Sequence, residues 1–169
     1  MTNDIVNKMQ SLTTTALMLG SAIWLAAFSS PAAPVAPSFV PDPDNVAVLD
    51  APRRLALGMI ETGNNDSEIG GAGEVSRYQI MPSVWKHYDD SHRYRNPEVS
   101  LTVAQEHWRA LYTTFKKQAR REPSDFDMYV LWNTRYGYYA SRGFNPKRLN
   151  TVVRDRAQRF VNLVHCGEL

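Results

Sequence analysis

Residues 100–119, SLTVAQEHWRALYTTFKKQA, decide the fold class. Their apolar side chains at Leu101, Ala104, Trp108, Leu111, Phe115 and Ala119 recur in steps of three and four, which draws one stripe along a helix. Ser100 is the expected N-cap of that helix. Upstream, Asp50 is placed to cap a helix with Pro52 in its first turn, running to Thr62 and stopped by Gly63. Pro82 opens a short helix through Val84 and Trp85, so Met81 and Pro82 read as core and helix start. Downstream, Ser124 caps a helix containing Met128, Tyr129, Leu131 and Trp132. The last helix begins near Asn150 and carries Val153, Ala157, Phe160, Val161 and Val164. Trp85 and Trp108 read as core, no segment alternates with period two, and no internal repeat is present. The expectation is a mainly α protein with one compact helical domain over residues 45–169.

Composition agrees with one folded domain. A chain of 169 residues with 43% apolar and 21% charged side chains can build a core. The net charge of +2 hides an asymmetry. Residues 33–91 hold four basic and nine acidic side chains, giving −5, whereas residues 92–169 hold fourteen basic and seven acidic, giving +7. A basic surface suits an anionic polymer, although single charges on helix faces are usually solvated. Nucleic acid is a poor fit, because there is no finger, RNP-like motif or long basic run. Residues 1–32 read as an export signal: Lys8, then an apolar run from Ser11 to Phe28, then Ser30 and Ala32 at the −3 and −1 positions of a cleavage site. The alternative is an uncleaved inner-membrane anchor, since eighteen residues just span a bilayer. Residues 33–44 read as a Pro-rich linker. The expected location is therefore periplasmic or secreted, with any membrane contact confined to the N-terminal segment. Cys166 is the lone cysteine, and His87, His92, His107 and His165 lack ligand spacing, so no metal or other cofactor is expected.

Glu61 carries the chemistry. It closes an apolar segment of Leu55, Leu57, Met59 and Ile60. An apolar wall disfavours a carboxylate and raises its pKa, and the negative end of a helix dipole pushes the same way. A proton is then available near neutral pH. Residues 63–73, rich in Gly and Asn, suit a loop that lets a polymer come close to the backbone.

Four segments, in order, carry a family resemblance: Glu61-Thr62, Gly70-Gly71-Ala72-Gly73, Ser76-Arg77-Tyr78-Gln79-Ile80-Met81-Pro82 and Leu131-Trp132-Asn133. They resemble the lysozyme-like soluble lytic transglycosylases, whose pattern is Glu-Ser, a Gly-rich loop, Gly-Leu-Met-Gln with an apolar-Met-Pro tail, and a later Ala-Tyr-Asn. The resemblance spans roughly residues 45–165. It implies a lysozyme-like helical domain that cleaves the β-1,4 bond between N-acetylmuramic acid and N-acetylglucosamine and leaves 1,6-anhydro ends. Such an enzyme works with one acid, because the substrate's N-acetyl group assists and its own 6-hydroxyl closes on the anomeric carbon. Glu61 would donate a proton first and remove one afterwards.

The resemblance also implies glycan contacts. Gln79 would reach hydroxyls or an N-acetyl group through its amide, and Asn133 would bond the glycan or orient the loop. Tyr78 would stack on a sugar face, and Trp132 stands in for the family Tyr. Tyr136 and Tyr138 are further contact candidates, in an aromatic cluster that core packing also explains. Ser76 stands where the family has Gly, and Glu74 where it usually has Ala. Asp66, Glu68 and Glu74 read as exposed loop acids. Goose-type lysozymes carry an acid two residues after the motif Gln, where this chain has Met81, which favours transglycosylation over hydrolysis. A hydrolytic muramidase and a non-catalytic peptidoglycan-binding relative remain the alternatives. The expected partner is the peptidoglycan glycan strand, with a secretion or pilus apparatus suggested by the small domain.

Overall fold

The computed structural model describes residues 46–167, and these are mainly helical. The export segment and the linker expected over residues 1–44 lie outside them. Among the described residues no helix is long and apolar enough to cross a membrane.

Helix α1, Ala51–Thr62, starts where Asp50 accepts the amide of Arg53 at 3.1 Å. It ends at Gly63, whose φ of 67° is left-handed, and the amides of Gly63 and Asn64 return to Met59 O and Gly58 O at 3.1 and 2.9 Å. Helix α2 is the short Pro82–Trp85. Helix α3, Pro97–Ala119, begins one turn earlier than Ser100 would require. Its cap is Asn96, which accepts the amides of Glu98 and Val99 at 3.0 Å. Pro97, with φ already helical and no N–H to satisfy, makes that earlier start favourable. Ser100 is instead buried within the helix and donates to Pro97 O at 3.1 Å. Helix α4, Asp125–Asn133, has a reciprocal capping box between Ser124 and Asp127. Helix α5, Tyr136–Ala140, and a 3-10 turn, Pro146–Arg148, lead into α6, Thr151–Cys166, where Asn150 accepts the amide of Val153 at 2.8 Å.

Helix α4 is the centre of the domain, packed against α3 and α6, while α1 packs along α6. Met128, Tyr129, Val130 and Leu131 are consecutive and all buried, so α4 has core on every side. Trp108 and Phe115 from α3, Phe160 from α6, Leu57 from α1 and Trp85 from α2 complete the core. The Tyr129 ring stacks on Phe160, with centroids 5.0 Å apart. Asp127 is buried but fully partnered: Arg121 grips it at 2.7 and 2.8 Å, and the Tyr139 hydroxyl donates to it at 2.6 Å. One sequence expectation fails here. Leu55 and Met59 are 56% and 50% exposed, so the helix that carries Glu61 does not itself supply an apolar wall.

Residues 69–80 fold back on themselves. Val75 and Ile80 exchange both backbone hydrogen bonds at 2.9 Å, and Ile69 bridges Val75, although these remain isolated bridges. The amide of Gln79 donates to Ser76 O at 3.2 Å and closes the turn between them. Ser76 and Gln79 take φ of 65° and 52°. The left-handed region costs a residue with a Cβ about 1 kcal/mol, so a glycine at position 76 would be the unstrained choice. Val75 before the turn and Tyr78 and Ile80 on the returning segment enter the core, while Gln79, between those last two, faces the other way.

Candidate active site

The C-terminal end of α1, the last turn of α4, Arg156 of α6, His107 and Leu111 of α3 and the 71–81 segment converge on one cleft of about 840 Å³. Glu61, Gln79, Trp132, Asn133 and Tyr136 all line it. Five of the seven residues expected at a site are therefore brought together.

Glu61 is the most enclosed acid in that cleft, with a side chain only 7% exposed. Its Oε1 accepts the Tyr129 hydroxyl at 2.7 Å, and its Oε2 accepts Arg156 Nη2 at 3.2 Å. Arg156 Nε also donates to the Tyr129 oxygen at 3.2 Å, which closes a three-membered ring of contacts. Burial raises the carboxyl pKa above its ordinary value. Tyr129, Arg156 and an Asn133 hydrogen bond oppose that rise, and the charge of Glu74 adds to it. The expected upward direction is met, but the surroundings come from α4 and α6 rather than from α1.

Thr62 joins the acid's helix to the loop. Its hydroxyl donates to Arg77 O at 3.0 Å and accepts the amide of Asn65 at 3.1 Å. The Gln79 amide donates to Ser76 O at 3.2 Å, tying the turn together while the residue faces the cleft. Gly70 makes room for it, since a Cβ there would collide with both Gln79 Oε1 and Glu74 Oε2. Trp132 donates its indole N–H to Tyr78 O at 3.1 Å, so it braces the turn and also forms part of the cleft wall. Tyr136 reaches Thr114 O at 3.4 Å.

Several expectations are corrected. Tyr78 is 3% exposed and belongs to the core, so its ring is not open to a sugar. Tyr138 does not line the cleft: two residues after Tyr136 on a helix, it points around to the far side. There Arg142 lies over its ring at 3.6 Å and its oxygen accepts the amide of Asn150 at 3.3 Å. Asp66 is a structural partner of Arg77, with Nε to Oδ1 at 2.6 Å. Glu74 is half-buried, lines the cleft and accepts the amide of Ala72 at 3.0 Å, whereas Glu68 is an exposed loop acid as expected. Met81 is exposed in the cleft wall instead of buried, although Pro82 does start α2.

Tyr129, Arg156 and His107 stand in the cleft or the ring without having been named as site residues, and Glu74, read as an exposed loop acid, also lines the cleft. Tyr129 and Asn133 are one helical turn apart, which would have placed them on one side of α4 had that side been known to face Glu61. Burial, with the nearby charge of His87, pushes the His107 imidazole down to about 4, so it stands neutral in the cleft wall beside Trp132. Among the described residues no group of His, Cys, Asp and Glu is arranged to hold a metal ion. Comparison of the chain with protein-family models, curated proteins and solved structures returns no match.

Proposed function

We propose that the chain is a peptidoglycan lytic transglycosylase in which Glu61 is the general acid and then the general base. The observation that carries this reading is a carboxyl raised in pKa by burial, at the wall of an open cleft, with Gln79 and Asn133 facing the same space. Cleaving a β-1,4 glycosidic bond needs a proton on the leaving oxygen while the anomeric carbon gains positive charge. A neutral Glu61 supplies that proton. The substrate's N-acetyl group then shields the carbon, its 6-hydroxyl attacks, and the carboxylate takes the hydroxyl proton, which restores the acid. Gln79 and Asn133 offer amides that donate and accept, as sugar hydroxyls and N-acetyl groups require. Trp132 and Tyr136 give the cleft an aromatic side. The N-terminal apolar segment supports work outside the cytoplasm, at the cell wall.

One observation favours a second reading. Glu74 lines the same cleft, and its charge acts on Glu61. A second carboxylate there would serve a water molecule in a hydrolytic muramidase. Mass spectrometry of products from digested peptidoglycan separates the two, with Glu61→Gln alongside. Muropeptides with 1,6-anhydro ends, lost in Glu61→Gln, are the expected result. Hydrated reducing ends would transfer the assignment to hydrolysis, and undiminished activity of Glu61→Gln would remove Glu61 from the mechanism. A folded protein that binds peptidoglycan without releasing product would be a binding module.

A further inference from the structure

The contact between Arg156 and Glu61 conflicts with the task assigned to Glu61. A general acid must hold a proton, and a guanidinium at its oxygen favours the charged form. The pair is also loosely made. Only Nη2 reaches Glu61, at 3.2 Å, whereas a paired fork would place two nitrogens on two carboxylate oxygens. Nε is spent on the neutral Tyr129 hydroxyl at 3.2 Å, and among the described residues Nη1 meets no hydrogen-bond acceptor. The Arg156 side chain is 37% exposed at the cleft wall, against 7% for Glu61. One end of this pair is therefore fixed in the protein and the other is open to a ligand.

We propose that Arg156 is a latch shared between two anions, holding Glu61 in the empty cleft and passing to a carboxylate of the muramyl unit when substrate binds. This deepens the transglycosylase reading and rests on it. A substrate carboxylate offers Arg156 the two-oxygen geometry that Glu61 does not, with a spare nitrogen to meet it. Transfer of Arg156 removes the cation that, among the described residues, is paired with Glu61. The groups left facing Glu61 are the Tyr129 hydroxyl and Asn133 amide from α4 and the Glu74 carboxylate from the loop, with His107 of α3 elsewhere in the cleft wall. Arg135 also lines the cleft but is not among the groups that act on Glu61. None of the groups that do is positive once Arg156 has moved, so the acid keeps its proton when a bond is in place to receive it. The cleft thereby prefers glycan that carries free carboxylates over neutral glycan of the same length.

The test is a set of affinities that needs no turnover. Four probes lack the scissile bond: the N-acetylglucosamine–N-acetylmuramic acid disaccharide with its lactyl carboxylate free, the same disaccharide bearing a stem peptide with free carboxylates, that peptide form with every carboxylate amidated, and neutral di-N-acetylchitobiose. Calorimetry on the whole chain and on Glu61→Gln, Arg156→Gln and Arg156→Lys gives the preference for the anionic probes. Glu61→Gln frees Arg156 from its internal anion, so the preference should rise severalfold above the parent's. Arg156→Gln should lose about tenfold or more in affinity for the anionic probe while neutral probes change little, because a hydrogen-bonded charge pair is removed from one and not the other. Arg156→Lys keeps the charge without the fork and should retain a reduced preference, which separates lost charge from lost folding. Whichever anionic probe is favoured identifies the lactyl or the stem carboxylate as the partner. The latch is refuted by an unchanged preference in Glu61→Gln, by parent-like preference in Arg156→Gln, or by no binding of either anionic probe to Glu61→Gln. Failure of the enzyme reading would show separately, as the absence of 1,6-anhydro products.

Discussion

Replacing Tyr129 by Phe removes one oxygen from the middle of the site and leaves the surrounding shape in place. The ring is fully buried and stacked on Phe160 at 5.0 Å, so no cavity opens and the core packing stays. What is lost is the 2.7 Å bond to Glu61 Oε1 and the 3.2 Å acceptor for Arg156 Nε. A hydrogen bond to a charged partner contributes about 1.5–3 kcal/mol, and one to a neutral partner about 0.5–1.5 kcal/mol. The cost of Tyr129→Phe should therefore depend on whether Glu61 is ionised. The sign follows from the pKa. Tyr129 lowers the Glu61 pKa against the larger rise caused by burial, so its removal lifts that pKa further. A folded state whose carboxyl has a raised pKa binds extra protons, and its stability falls as pH rises through that window. Urea unfolding of parent and variant should give a difference of about 1.5–3 kcal/mol at mildly alkaline pH, shrinking by about half in acid. The alkaline limb of kcat/KM, where the acid loses its proton, should move to higher pH. A stability difference equal at both pH values, or larger in acid, would refute the claim that Tyr129 bonds a titrating Glu61.

Glu61→Gln should gain stability relative to the parent as pH rises above the ordinary carboxylate range. The raised pKa of Glu61 is a stability loss that the parent carries once the group must ionise, and the amide does not carry it. Thermal melts across pH check this, and parallel curves for the two proteins would count against it. Gly70→Ala should leave the melting midpoint little changed, because its Cβ meets the movable ends of Gln79 and Glu74. Displacing Gln79 should nonetheless cut peptidoglycan cleavage by about tenfold to a hundredfold, as misplacement of a contact by about an ångström does. Parent-like cleavage by that variant would show that Gln79 does not hold substrate.

The helices were legible from local chemistry, and their errors were local too. Asp50, Pro82, Ser124 and Asn150 mark real helix starts, because a capping oxygen or a proline acts on amides a few residues away. Ser100 was misread for the same kind of reason: Asn96 and Pro97 lie one turn upstream and form the better start. Apolar periodicity also picked out Trp108 and Phe115 as core. It failed along α1, where Leu55 and Met59 fall on the face that no other element covers. A side chain's hydrophobicity says what it prefers, and neighbouring elements decide what it meets.

The site divides along the same line. Glu61 and Gln79 could be named from the sequence because each sits in a short motif with its own backbone requirements: a helix end stopped by Gly63, and a turn that puts residues 76 and 79 into left-handed conformations. Tyr78 and Tyr138 could not be placed, since one pleat or two helical steps separate a cleft residue from a core or far-side one. Tyr129 and Arg156 lie 68 and 95 residues from Glu61, and nothing in their own neighbourhoods marks them. The sequence alone marked five of the helices and four of their starts, since caps and prolines act within a few residues. The Asn96 cap of α3 and the short α5 were not read from it. Which hydroxyl and which cation face that acid was decided only by the packing of α4 and α6 against the end of α1, because a carboxyl's pKa is set by whatever charges and dipoles are close in space.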